Sequence, residues 1–91
     1  MTKDEIAIAM DPNYPNVYIQ QKAYAKLTFV KGSTKIGSFY YTDLSDLLEK
    51  ENKYTFLENE NIQKYTNTKE ENYITVIDGN LLISVEYPIF L

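Results

Sequence analysis

Two long stretches of this sequence alternate between faces with a period of two, and that period is the signature of a strand. The first runs from Val17 to Val30. Its odd positions read Val17, Ile19, Gln21, Ala23, Ala25, Leu27 and Phe29; its even positions read Tyr18, Gln20, Lys22, Tyr24, Lys26, Thr28 and Val30. The odd, more apolar set is the inner face. Lys31-Gly32-Ser33-Thr34 turns the chain, and Lys35 to Thr42 returns with Ile36 and Tyr40 on the face of Leu27 and Phe29. Fully extended, Val17 to Val30 would span roughly 46 Å, whereas a domain of this length is about 30 Å across. The strand is therefore expected to bend or bulge around Gln20 to Lys22, or to protrude.

The second stretch comprises Tyr73-Ile74-Thr75-Val76-Ile77 and Leu81 to Tyr87, on either side of Asp78-Gly79-Asn80. Asp-Gly signals a two-residue hairpin, because a type I′ turn needs positive φ at both central residues. Such a loop pairs Val76 with Leu81 and Ile74 with Ile83, and sets all four on one face with Val85. Pro88 ends the strand, since it has no N–H to give a ladder. Between the two hairpins, Thr42 or Asp43 can cap a helix over about 43–51, with Leu44, Leu47 and Leu48 as a single apolar stripe.

The expected fold is thus α+β: two antiparallel β-hairpins forming a small sheet, with one central helix packed on one face, in a single domain over residues 1–91. The expected core is Leu27, Phe29, Ile36, Leu44, Leu47, Leu48, Ile74, Val76, Leu81, Ile83 and Val85. Tyr54 to Leu57 is a short strand candidate, and Glu58 to Glu71 reads as a helical turn followed by a loop. Residues 2–10 satisfy two patterns: a capping box in Thr2 and Glu5, and a strand-like alternation of Ile6, Ile8 and Met10. Asp11 to Pro15 is a loop.

The chain has no His, no Cys, no Trp and no Arg; all nine basic residues are Lys. Catalysis loses its usual proton shuttle and thiol nucleophile, and phosphate recognition loses the guanidinium fork. No disulfide can staple the fold, so stability must come from the core. The three Gly are scattered and form no phosphate loop. Asp78-Gly79-Asn80 lacks the other ligands of a calcium loop. The acidic pairs Asp43/Asp46 and Glu58/Glu60 have the spacing of solvated helix ends. No catalytic, cofactor or metal site is expected, and the chain reads as a non-enzyme. No apolar stretch is long enough for a signal-peptide core or a membrane span, which makes the cytoplasm the expected compartment.

What the sequence has in place of catalytic groups is nine Tyr and four Phe. Tyr combines an apolar body with a polar tip and few rotamers, and it is enriched at interface hot spots. Tyr18 and Tyr24 alternate with Lys22 and Lys26 on the outward face of the first strand. The apolar end, Ile89-Phe90-Leu91, calls for a docking place on this chain or on a partner. These seven are the candidate partner-binding residues. A protein partner is the leading expectation, and a homodimer through the first strand is a further one. The alternative is single-stranded nucleic acid, stacked and neutralised on the Lys/Tyr face. It is disfavoured by the net charge of −4 and the lack of Arg. Charge is also uneven: Pro12 to Thr42 carries four Lys and no acid, while Asp43 to Glu71 carries eight acids and four Lys. In size and AT-rich composition the chain resembles small accessory proteins of bacteriophages and mobile elements. Some of those, such as anti-CRISPR proteins, block a host defence enzyme by binding it; toxin-neutralising immunity proteins look similar.

Overall fold

The computed structural model describes residues 1–10 and 24–91. Along the chain come helix α1 (Lys3–Ala9), strands β1 (Tyr24–Phe29) and β2 (Thr34–Phe39), helix α2 (Ser45–Lys50), strand β3 (Lys53–Glu58) and helix α3 (Asn59–Thr68). A 3₁₀ turn at Glu71–Tyr73, strand β4 (Thr75–Asp78), a second 3₁₀ turn at Gly79–Leu81 and strand β5 (Leu82–Ile89) follow. The five strands form one antiparallel sheet in the order β4-β3-β2-β1-β5, so the α+β class implied by the alternation holds.

The first hairpin is present. Phe29 N–H donates to Ser33 O at 2.9 Å and Gly32 N–H to Phe29 O at 2.8 Å. Gly32 takes the left-handed conformation the turn requires, with φ +88°. Ala25 and Leu27 are fully buried, as the odd face demanded. The register pairs Leu27 with Lys35 and Ala25 with Gly37, so Phe39 faces the core and Ile36 lies opposite Lys26 on the outer face. Ile36 and Tyr40 therefore do not share the face of Leu27. The expected bend at Gln20 to Lys22 lies outside the described residues.

The C-terminal hairpin does not form. β4 and β5 stand at opposite edges of the sheet, β4 against β3 and β5 against β1. The turn chemistry explains the difference. Asp78 accepts a hydrogen bond from Asn80 N–H at 2.9 Å and thereby caps a 3₁₀ turn instead of opening a type I′ turn. Gly79 has no positive φ to supply. It is small because a Cβ there would lie 2.7–2.8 Å from the Asn52 side chain. The inner face is the opposite one from that expected: Ile77 and Leu82 are each 2% exposed, while Val76, Leu81 and Ile83 are 53%, 50% and 56% exposed. Ile83 falls where the β1–β5 register shifts.

That short connection also fixes the shape of the sheet. Across a flat five-stranded sheet the outer strands lie about 19 Å apart, whereas four residue steps from Asp78 to Leu82 reach about 14 Å at most. The sheet must curl until its edges approach at this end. Inside the curl lie Leu27, Phe56, Tyr54, Ile77 and Leu82, closed by Ile6 of α1, with Phe29, Phe39, Val85 and Tyr87 packed against them. Phe39 meets Phe56 edge to face at 5.2 Å. At one end of the curl Lys35 pairs with Glu58 at 3.3 Å, and Thr75 Oγ1 donates to the same carboxylate at 3.4 Å. β3 is buried on both faces, with Thr55 and Leu57 covered as well as Tyr54 and Phe56.

The helices are held by local chemistry. α1 realises the capping box: Glu5 N–H donates to Thr2 Oγ1 at 3.2 Å and Thr2 N–H to Glu5 Oε1 at 3.0 Å. α2 packs on β3, but through the small, buried Ser45, with Leu48 half-buried; Leu44 and Leu47 remain exposed. Glu58 to Glu71 holds a ten-residue helix where a single turn and loop were expected. Its half-buried side chains, Asn61, Ile62 and Tyr65, lie on one face, and Lys69 closes it in the left-handed conformation with N–H to Tyr65 O at 2.7 Å. The anchors Ile62 and Tyr65, one turn apart, are enough because α3 packs on β2 and β3.

Candidate functional site: a tyrosine-lined groove

The site arises because β2 stops before β3 does. Phe39 pairs with Phe56, and Tyr40 N–H reaches Thr55 O at 3.0 Å. The chain then turns away into α2, while β3 continues through Tyr54 to Lys53. A notch is left beside Tyr54, lined by Phe39, Tyr40, Tyr41, Tyr54 and Glu49, with Ser45 and Thr55 at its base and a volume of about 250 Å³.

A polar network fixes the wall of the notch. Thr42 N–H donates to Ser45 Oγ at 2.8 Å, and Leu44 N–H to Thr42 Oγ1 at 3.3 Å. Ser45 Oγ lies 3.3 Å from Thr55 Oγ1, which in turn donates to Tyr40 O. Ser45 and Thr55 are both buried, and their hydroxyls satisfy one another and the backbone. Tyr40 and Tyr41 are thus mounted on a rigid turn. The Tyr40 ring packs edge to face on Tyr65 of α3 at 5.1 Å, and the Tyr41 hydroxyl donates to Asp46 Oδ1 at 3.1 Å.

Beyond Tyr40 the notch opens into a groove of about 290 Å³ between α2, α3 and β4, lined on its apolar side by Tyr40, Leu44, Leu48, Tyr65, Ile74 and Val76. Among the described residues, its charged lining is Asp43 and Glu71. Negative field shows in the phenols. The Tyr41 pKa is raised by its hydrogen bond to the Asp46 carboxylate. The Tyr54 pKa is raised by burial and then by Glu49. That of Tyr65 is raised by burial, by its hydrogen bond with Tyr40 and, more weakly, by Glu71. Glu49 itself accepts from Lys3 Nζ at 2.8 Å through Oε2, and that bond raises the lysine pKa. Lys69 Nζ lies 5.3 Å from the centre of the Tyr65 ring.

Of the residues singled out by sequence, Tyr18 and Lys22 lie outside the described residues. Tyr24 and Lys26 are half-buried on the outer face of β1, with Glu86 of β5 directly across from Lys26. Ile89 ends β5 opposite Tyr24 and is half-buried, whereas Phe90 and Leu91 are exposed. The fold therefore brings Tyr24 and Ile89 together. Tyr40, Tyr41, Tyr54, Tyr65 and the leucine stripe meet in the groove, which periodicity alone did not reveal: its one local signal is the Tyr40-Tyr41 pair beside that stripe. Among the described residues no helix is long and apolar enough to cross a membrane. Among them, too, no three His, Cys, Asp or Glu side chains could together hold a metal ion. No family model, no curated protein and no solved structure matches this chain.

Proposed function

We propose that this chain is a non-enzymatic protein-binding module whose docking face is the groove between α2, α3 and β4. One observation carries the reading: Tyr41, Leu44 and Val76 stand exposed together around a concave, tyrosine-lined surface, and clustered exposed apolar groups mark interaction sites. A module of this kind acts by covering a surface of its partner. The specific form proposed is a cytoplasmic inhibitor, of phage or mobile-element origin, that binds and blocks a host defence enzyme; small size, acidic charge and AT-rich composition support it. The test is inhibition and co-purification of a candidate host enzyme with the wild-type chain and with two variants. Val76→Asp, at an exposed position, abolishes binding if the groove docks the partner, and Lys26→Glu leaves it intact. Binding lost only in Lys26→Glu, together with salt-dependent binding of labelled single-stranded DNA, would instead establish the Lys/Tyr strand face as a nucleic-acid site. Glu86 opposite Lys26 counts against that outcome.

A further inference from the structure

We propose that the notch at the end of β2 receives an alkylammonium group, a lysine side chain of the docked protein. This deepens the binding-module reading and rests on it for the identity of the ligand's carrier. Four aromatic side chains, Phe39, Tyr40, Tyr41 and Tyr54, line one small concavity with a carboxylate, Glu49, at its wall. Aromatic faces attract cations through their quadrupole, and an aromatic-lined pocket is the standard means of holding an ammonium group. A carboxylate adds direct charge complementarity, and a second one, Asp46, is held beside the notch by the Tyr41 hydroxyl. Among the described residues, none that lines the notch is positively charged. An anionic or purely apolar ligand would meet Glu49 unfavourably, whereas a cation is drawn to it, in competition with the Lys3 ammonium that holds Oε2.

Two features of the chain itself support this chemistry. Lys69 already rests over the Tyr65 ring in the adjoining groove, so an aromatic face here draws an ammonium group from within the fold. Lys3 reaches Glu49 from α1, so this carboxylate already attracts an ammonium group, and that bond occupies Oε2. The adjoining apolar groove then takes the side chain next to the lysine in the partner segment, with Asp43 and Glu71 facing any further positive charge. The recognised element is a lysine with an apolar neighbour.

The experiment is an NMR titration of the full chain with three probes: Nα-acetyl-lysine methylamide, choline, and 3,3-dimethylbutan-1-ol, the neutral carbon isostere of choline. The two cations are expected to give saturable shifts at Tyr41, Ser45, Glu49 and Thr55, and the isostere at least tenfold weaker ones. Tyr41→Leu, at a side chain 68% exposed and so of little consequence for folding, weakens the cations about tenfold. Tyr41→Phe keeps the ring and stays within about threefold of wild type. Lys3→Met releases Glu49 and tightens the cations by about threefold, a gain that structural damage could not mimic. Equal binding of choline and its isostere, or cation binding indifferent to Tyr41→Leu, overturns the proposal. The two readings fail separately. If Val76→Asp abolishes partner binding but no cation enters the notch, the module stands without the lysine site. If the cations bind as described but no partner depends on the groove, the site stands and the docking reading falls.

Discussion

Gly79→Ala is the perturbation whose cost can be traced most directly through named atoms. A Cβ at residue 79 would lie 2.7 Å from Asn52 Nδ2 and 2.8 Å from Cγ and Oδ1, closer than non-bonded atoms tolerate. The Asn52 side chain must therefore move, and it is a hub. Its Nδ2 donates to Met1 O at 2.9 Å and to Asn80 Oδ1 at 3.2 Å, and its Oδ1 accepts the Tyr54 hydroxyl. At about 1 kcal/mol per hydrogen bond, displacement costs about 2–3 kcal/mol, since Tyr54 is buried and finds no ready substitute in water. For a chain of this length that corresponds to a fall in Tm of about 10–20 °C. The origin of the cost is isolated by a double-mutant cycle with Asn52→Gly. Asn52 sits at φ +58°, a conformation glycine adopts freely, so the single variant loses the hub without distorting the backbone. In that background the three closest atoms to the new Cβ are gone, and the cost of Gly79→Ala should fall below about 0.5 kcal/mol. Urea denaturation of the four proteins reads the coupling directly. Equal costs in both backgrounds would refute the steric argument and return the explanation to the backbone of the 3₁₀ turn.

Ile77→Ala and Leu82→Ala, at the fully buried positions of β4 and β5, should each cost about 2–5 kcal/mol, and Val76→Ala and Ile83→Ala less than about 1 kcal/mol in the same denaturation assay; the reverse ranking would mean that the strands face the other way. The Glu5 carboxyl is held below its ordinary pKa, chiefly by the Thr2 backbone N–H and then by the Thr2 side chain. A depressed folded-state value stabilises the folded chain above the unfolded pKa of about 4.3, and that contribution disappears as pH falls through the folded value. Thr2→Ala keeps the backbone N–H and removes only the side chain, so by NMR Glu5 should move part of the way back toward its ordinary titration. Loss of the cap should remove about 1 kcal/mol at neutral pH, and the acid limb of stability should become shallower.

Local signals in the sequence were reliable where one mechanism produces them. The odd face of Tyr24 to Phe29, the Gly32 turn and the Thr2/Glu5 capping box all emerge in the fold because each depends on neighbours a few residues away. Asp78-Gly79 misled because glycine serves two ends. A positive φ and a close approach leave the same letter, and here the approach of Asn52, remote in sequence, decides. The apolar run around it could not arbitrate, since Ile74, Val76, Ile77, Leu81, Leu82 and Ile83 fill both parities. The leucine stripe of α2 was read as core by its spacing, yet Ser45 is the residue that meets β3, and Leu44 is left for the groove. The notch was not legible at all: it exists because β2 ends at Phe39 while β3 runs on, a register fact that no single segment contains.

The placement of β5 beside β1 also sets the order in which the chain can become safe from aggregation. Phe29 waits for Leu82 and Tyr24 for Ile89, so on a ribosome one margin of β1 stays open until almost the whole described chain has emerged. The hairpin of β1 and β2 can form early, but it exposes Leu27 and Phe29 with nothing to lie against. Pairings so distant in sequence slow folding by their loop-closure cost, and a nascent sheet with an open margin is the species most prone to pair with a stranger. Fast synthesis at high concentration should therefore trap this protein in inclusion bodies more readily than its small size suggests, and lowering the expression temperature should recover it.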